Sequence, residues 1–177
     1  MPASRSNAEI RSPTLASRLG QILGFVAANH VWTRLLVMPT TGDGAPSAIG
    51  PGLVVSTIGL AALEEGIFRG LLFAWLRQRF GVTAAIIGSA LLFAAFHAPP
   101  RTAVVALLLG LQLGALRQAH GLGLTVAAHV TSNLALLVLA AFPSARPSDD
   151  PLVFVAASAV AGSALAGLAQ RLRNTRD

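Results

Sequence analysis

The stretch LEEGIFRGLL, residues 63–72, places two adjacent glutamates and an arginine inside an otherwise apolar run. Across residues 52–76 the only charged side chains are Glu64, Glu65 and Arg69. Charges at the middle of such a run are unfavourable unless they face the protein interior and have polar partners. The rest of the sequence must therefore supply those partners.

The composition is that of a membrane protein. The chain has 177 residues, of which 54% are hydrophobic and 11% charged, and its mean hydropathy is +0.66. Soluble domains carry about a quarter charged residues, and a chain this short still has much surface to cover. Cysteine is absent, which excludes disulfides and thiol chemistry. The net charge of +6 comes from arginines at the ends of apolar runs, so we expect a lipid bilayer and no nucleic acid as partner.

Six apolar segments follow a polar tail at residues 1–18. Several reach the roughly 20 residues that a membrane-spanning helix needs, and they are continuous rather than alternating in hydrophobicity. The segments are residues 19–38, 53–76, 82–97, 102–117, 122–142 and 152–172. The sequence therefore predicts an all-α, polytopic transmembrane bundle of about six helices. A single domain spans residues 19–172, a short tail covers 173–177, and no removable signal peptide is expected.

The third and fourth segments are short, and Pro99 and Pro100 lie between them. Residues 82–117 are therefore predicted to form a hairpin whose turn is buried in protein. Whether this hairpin fully crosses the bilayer stays open at this point.

The arginines orient the predicted bundle. Six spans put nine arginines on the side of the two termini and three on the other side. The nine are Arg5, Arg11, Arg18, Arg77, Arg79, Arg117, Arg171, Arg173 and Arg176, and the three are Arg34, Arg101 and Arg146. This asymmetry predicts a multi-pass cell-membrane protein with both termini in the cytoplasm.

The two glutamates differ in whether their own helix offers an ion-pair partner. Residues four apart lie on one helix face, so Arg69 can reach back to Glu65. Glu64 is rotated about 100° away from that face and has no obvious partner there. We expect Glu65 to be held in an ion pair and Glu64 to be free for chemistry.

Two further motifs place polar residues deep in apolar segments. FAAFH puts Phe93 and His97 four apart, and HVTSN puts His129 and Asn133 four apart. If the second, third and fifth segments are neighbours, these groups meet Glu64 in the bundle core. Such a set suits hydrolysis, because a carboxylate can take a proton from water, and imidazole and amide N–H groups can stabilise an oxyanion.

Each of these residues also has a purely structural interpretation. A histidine in a membrane helix often serves as an interhelical hydrogen-bonding group, and Glu65 with Arg69 alone is compatible with a structural ion pair. For any single residue the two interpretations are about equally good. Their occurrence together in three segments favours a functional site.

In this order the motifs resemble those of the CAAX protease and bacteriocin-processing family (CPBP, or Abi) of intramembrane proteases. EEGIFR matches EExxxR, FAAFH matches FxxxH, and HVTSN matches HxxxN. The eukaryotic CAAX prenyl endopeptidase belongs to this family. The resemblance covers roughly Ser56 to Leu139, within a family-like core of about residues 53–142. It implies an intramembrane endopeptidase that cleaves peptide or membrane-protein substrates.

The resemblance also implies roles for individual residues. Glu64 looks like the catalytic glutamate, which activates a water together with His97. His129 and Asn133 look like the pair that binds the oxyanion. No cofactor is implied by these roles.

The same resemblance makes Glu65 and Arg69 the supporting ion pair. Phe93 is the packing residue of its motif.

Two alternatives stay open at this stage. Glu64, His97 and His129 are also a plausible zinc ligand set for an intramembrane metalloprotease, although HExxH is absent. A non-catalytic bacteriocin-immunity protein or a transport-type membrane protein would also place acids and histidines in the membrane. Against transport, the chain shows no inverted repeat.

Overall fold

The computed structural model describes residues 14–37, 49–97, 99–141 and 167–168, and within them the side chains of all but residues 30, 32–37, 101 and 139–141. All regular structure in these ranges is helical, so the all-α prediction is confirmed for them. The elements are α1 (Leu15–Val37), α2 (Pro51–Glu65), a π-helical segment (Gly66–Leu72), α3 (Phe73–Ala95), α4 (Pro100–His120) and α5 (Leu122–Ala141).

Gly167 and Leu168, inside the predicted sixth segment, are also helical. The rest of that segment and both predicted tails, apart from residues 14–18 of the first, lie outside the described residues. The predicted number of six helices therefore stays a prediction.

Two helical stretches, Pro51–Ala95 and Thr102–His120, are long and apolar enough to cross a membrane, and Leu122–Val138 is a shorter apolar helix. Large apolar side chains on the outer faces of these helices are exposed, among them Leu71 and Leu91. Exposed apolar side chains along apolar helices are what a bilayer accommodates. The described part of the chain thus has the character of a membrane protein.

The chain reverses at Gly81, inside the range of α3. Gly81 has φ 84° and ψ 178°, a conformation that glycine adopts without a Cβ clash. Gly88 then lies against Leu76, with 3.0 Å between an ideal Cβ at Gly88 and Leu76 Cδ1. A straight helix would hold residues twelve apart at about 18 Å. The predicted break between the second and third segments is therefore confirmed, but the stretch RQRF before it is helical.

The second half of α3 packs against α4, which gives the predicted hairpin. The expectation that its turn is buried in protein is wrong, because Phe96, Pro99 and Pro100 at the turn are exposed. Pro99 is extended and Pro100 begins α4, where a missing N–H removes no helical hydrogen bond. Small residues at the α3–α4 contact let the two backbones approach closely, as they do in membrane helix pairs. At Gly110 an ideal Cβ would lie 3.0 Å from the Ala90 Cα.

Two apolar clusters hold the helices together. One joins α1, α4 and α5 and consists of Phe25, Leu113, Leu116, Ala128 and Leu168. The other joins the π-helical segment, α3 and α4 and consists of Phe68, Phe93, Ala94 and Ala106. α2 packs against α5, so the charged stretch lies between the second cluster and α5.

Candidate active site

Glu65 and Arg69 form a fully buried ion pair, as the sequence spacing predicts. Both side chains are 0% exposed, and Arg69 Nη1 donates to Glu65 Oε1 at 3.0 Å. Arg69 Nη2 donates to the Gly110 carbonyl of α4 at 3.2 Å. The Arg69 guanidinium carbon also lies 4.4 Å from the centre of the Phe93 ring, within range of a cation–π interaction. Arg69 is therefore held from three directions.

His129 of α5 lies between the two glutamates. Its Nδ1 is 2.9 Å from Glu65 Oε1, and its Nε2 is 3.8 Å from Glu64 Oε2. The first distance is a hydrogen bond, whereas the second is too long for a direct one and is typical of groups bridged by water. The ring of His129 thus presents one nitrogen to Glu65 and the other to Glu64.

Glu64 differs from Glu65 in its access to the surroundings. Its side chain is 35% exposed, while that of Glu65 is 0% exposed. Within the described residues, His129 is the only cationic or imidazole group within 4 Å of the Glu64 carboxylate. Glu65 is thus buried and bonded, whereas Glu64 is accessible.

His97 joins this group through Phe93. Its Nδ1 lies 2.8 Å from the Phe93 carbonyl oxygen, and its ring centre lies 4.5 Å from that of Phe93. The Phe93 ring in turn lies edge-on to His129, 5.8 Å between centres. No hydrogen bond between His97 and Glu64 is found among the described residues.

Asn133 follows His129 by one helical turn on α5 and is half-buried. Its side chain makes no hydrogen bond to another described residue. Direct contacts thus unite Glu64, Glu65, Arg69, Phe93 and His129, with His97 next to Phe93 and Asn133 next along α5. The roles that the resemblance implies for these residues stay predictions.

The zinc alternative requires three ligands at one point. Among the described residues, no group of three histidine, aspartate or glutamate side chains is arranged to hold a metal ion. Glu64, His97 and His129 are all described and do not form such a group.

Several polar residues around the site are not expected from the sequence. Arg117 of α4, which was assigned only to the topology signal, donates from Nε to the Arg69 carbonyl at 2.9 Å. Asn29 of α1 donates from Nδ2 to Ser132 Oγ of α5. Among the described residues, the buried polar side chains that carry neither a charge nor an imidazole are Gln21, Asn29, Ser89, Gln112, Thr125 and Ser132.

The contact between Arg117 and Arg69 has a signal in the sequence. Arg117 lies seven residues, or two helical turns, after Gly110, so both lie on the face of α4 that contacts Arg69. No spacing rule connects Asn29 to Ser132, because the contact joins different helices 103 residues apart.

One comparison with known proteins matches the stretch of chain that contains the site. A family model described as type II CAAX prenyl endopeptidase Rce1-like matches residues 46–135, which is 90 of the 177 residues. The match includes all three motifs and ends within α5. Comparison with curated proteins and with solved structures gave no significant match.

Proposed function

We propose that this chain, which belongs to the Rce1-like family of type II CAAX prenyl endopeptidases, is an intramembrane endopeptidase that attacks peptide bonds with a water activated by Glu64. Membership in this family supports an assignment as a CAAX-type intramembrane protease. The choice of Glu64 as the base, the other roles and the substrate are the parts that we add.

The contrast between the two adjacent glutamates carries the proposal. Glu65 is fully buried and its Oε1 accepts hydrogen bonds from both Arg69 and His129. Glu64 is 35% exposed and has His129 as its neighbour across a gap of 3.8 Å. A general base must reach the water from which it takes a proton, and of the two only Glu64 meets that requirement.

The proposed reaction begins with a water held between Glu64 and the histidines. Glu64 takes one proton from the water while the water oxygen attacks the carbonyl carbon of the peptide bond. The resulting tetrahedral oxyanion collapses, the C–N bond breaks, and the proton on Glu64 passes to the leaving amine. The products are a free carboxylate and a free amine, and no other reactant is consumed.

His97 is suited to orient the water. Because a carbonyl oxygen only accepts hydrogen bonds, the contact to Phe93 requires the proton on His97 Nδ1. In the neutral ring Nε2 is then an acceptor, which can bind a hydrogen of the attacking water.

His129 is suited to the oxyanion. Its Nδ1–H donates to the Glu65 carboxylate, which fixes the ring orientation in the way a triad carboxylate does. When Nε2 is also protonated, that N–H points toward Glu64 and can donate to the developing oxyanion. The Asn133 amide, one turn further along α5, is the second proposed donor.

The proposed substrates are peptides or membrane proteins whose cleavable segment reaches the site from the bilayer. The protein is proposed to be a multi-pass cell-membrane protein with cytoplasmic termini, and the reaction is proposed to need no metal. The family and the arginine distribution support the membrane assignment. The proposal of a reaction without metal rests on Glu64 acting as the base.

The test compares purified wild type with Glu64→Gln, Glu65→Gln and Glu9→Gln in detergent micelles and liposomes. Cleavage of a membrane-peptide library is followed by mass spectrometry, and thermal unfolding is measured on the same samples. Glu9→Gln makes the same chemical change in the N-terminal tail and serves as the matched control.

We expect Glu64→Gln to lower kcat by roughly 10²- to 10⁴-fold, the range for a general base, without a change in the unfolding temperature. Glu65→Gln should lower both kcat and the unfolding temperature, because it leaves Arg69 as a buried charge without its carboxylate. Equal cleavage by wild type and Glu64→Gln would show that another residue is the base.

A further inference from the structure

The main-chain carbonyl of Arg69 receives its hydrogen bond from a different helix. In an α-helix this carbonyl would accept from the Phe73 N–H, four residues on. Here the Phe73 N–H bonds to the Phe68 carbonyl, five residues back, which is the π-helical pattern. Arg117 Nε of α4 donates to the Arg69 carbonyl at 2.9 Å. Arg117 thus supplies a donor to the carbonyl that the π-helical register deprives of its α-helical partner.

The same helix also contacts the other end of Arg69. The Gly110 carbonyl accepts from Arg69 Nη2 at 3.2 Å, and an added Cβ at Gly110 would lie 3.2 Å from that same nitrogen and 3.0 Å from the Ala90 Cα. Glycine is needed at this position because both α3 and the guanidinium approach so closely. One face of α4 therefore holds both the backbone and the side chain of Arg69.

Register matters for the glutamates because they precede the π-helical segment. Return of the segment to an α-helix would change the helical offset by one residue. Each residue corresponds to about 100° of rotation, so Glu64 and Glu65 would rotate away from His129 or α3 would rotate away from Arg117. A donor at the Arg69 carbonyl stabilises the register in which Glu65 meets both Arg69 and His129.

We propose that Arg117 is a positioning residue for the active site, acting through the Arg69 carbonyl rather than through its charge. The contacts form a continuous series, from Arg117 to Arg69 at 2.9 Å, from Arg69 to Glu65 at 3.0 Å, and from Glu65 to His129 at 2.9 Å. The catalytic consequence rests on the proposed function, whereas the structural part stands on these contacts alone.

Two substitutions separate the hydrogen bond from the charge. In glutamine, Nε2 occupies the same place along the side chain as arginine Nε, so Arg117→Gln keeps an N–H donor there. In methionine a methyl group occupies that place, so Arg117→Met removes the donor. Both variants lose the same positive charge, and any effect on membrane topology is common to both. Arg77→Gln and Arg77→Met, at an exposed position of α3, make the matching changes away from the site.

The first readout needs no substrate. The chain has four histidines, so ¹⁵N labelling of histidine gives few imidazole signals in micelles, and His129→Gln identifies that of His129. This signal reports on the hydrogen bond to Glu65. The second readout is kcat and KM for any peptide that the wild type cleaves.

We expect the His129 signal to stay near that of wild type in Arg117→Gln and in both Arg77 variants, and to shift in Arg117→Met. We expect kcat to fall roughly tenfold to a hundredfold in Arg117→Met, the range for small misplacements of catalytic groups, with little change in KM. If Arg117→Met does not fold, Arg117→Asn replaces it, since it keeps the amide but is one methylene too short.

Identical His129 signals in Arg117→Gln and Arg117→Met would overturn the proposal, whether both match wild type or both are shifted. This comparison is independent of catalysis. If the wild type cleaves nothing, the proposed function fails while the His129 signal still decides the role of Arg117.

Discussion

Glu65 Oε1 lies 2.9 Å from His129 Nδ1, although 64 residues separate the two in the chain. The same oxygen accepts the hydrogen bond from Arg69 Nη1. One carboxylate oxygen therefore joins the stretch that contains the glutamates to α5. Glu65 Oε2 has no hydrogen-bond partner among the described residues. Oε1 therefore accepts both hydrogen bonds, from Arg69 and from His129.

This arrangement predicts strong coupling between Glu65 and Arg69 in stability. Either single variant, Glu65→Gln or Arg69→Met, leaves a buried group without its partner and should lower the free energy of unfolding by about 3 to 5 kcal/mol. The double variant should lose clearly less than the sum of the two, because it leaves neither charge behind. The measurement is a double-mutant cycle by reversible unfolding in mixed micelles.

The control for this cycle is Glu64→Gln. The contact between Glu64 and His129 spans 3.8 Å at a side chain that is 35% exposed, so its loss should change stability by less than about 1 kcal/mol. Additive effects of Glu65→Gln and Arg69→Met would contradict the ion pair as the source of the coupling.

Two neighbouring residues of HVTSN are predicted to behave in opposite ways. Ser132 is 1% exposed and its hydroxyl accepts from Asn29, so Ser132→Ala removes a buried hydrogen bond and should destabilise the fold by about 0.5 to 1.5 kcal/mol. Asn133→Ala removes no hydrogen bond to a described residue, so it should leave stability nearly unchanged. As a proposed oxyanion donor, however, its loss should reduce kcat by roughly 10²- to 10³-fold.

The unfolding temperature and kcat of Ser132→Ala and Asn133→Ala, each measured on one preparation, test these expectations. Loss of stability with Asn133→Ala and unchanged cleavage would remove Asn133 from the proposed site and make it a packing residue.

Much of the fold and of the candidate site follows from local rules. The helical segments and the break at Gly81 could be predicted because apolar runs and glycine determine the conformation of the backbone within a few residues. The pairing of Glu65 with Arg69 could be predicted because one helical turn separates them. The position of His129 between both glutamates could only be a conditional expectation, since it depends on α2 packing against α5.

Other features could not be predicted because they arise from the packing of separate helices. The Arg69 carbonyl in the π-helical segment accepts a hydrogen bond from Arg117 of α4, and nothing in GIFRGLL itself indicates this contact. The contact between Asn29 and Ser132 requires the placement of α1, which precedes the part of the chain that the motifs cover. From sequence alone, Arg117 indicates only membrane topology, because arginines near segment ends usually have that meaning.

Gly110 and Gly88 allow a test of which close approach the fold requires. At each, an added Cβ would lie 3.0 Å from its nearest neighbour, but that neighbour is the Ala90 backbone for Gly110 and the Leu76 side-chain end for Gly88. Gly110→Ala should therefore destabilise by about 1 to 3 kcal/mol. Gly88→Ala should be nearly neutral, because Leu76 can change rotamer and alanine favours a helix by up to about 1 kcal/mol.

Unfolding of both variants in the same micelles measures this difference. The Gly110 variant should also lower kcat, because the added methyl approaches Arg69 Nη2. Equal stability of the two variants would mean that the α3–α4 contact is looser than the structure shows.

Removal of divalent metal ions is predicted to leave cleavage unchanged. The reason is geometric, since the described residues bring no three histidine, aspartate or glutamate side chains together as metal ligands. Wild-type protein should be incubated with a strong zinc chelator, freed of it by gel filtration, and assayed with and without added zinc. Glu64→Gln, treated in parallel, reports any cleavage by a contaminating metalloprotease. Loss of wild-type cleavage with the chelator and its return with zinc alone would instead make Glu64, His97 and His129 candidates for metal ligands.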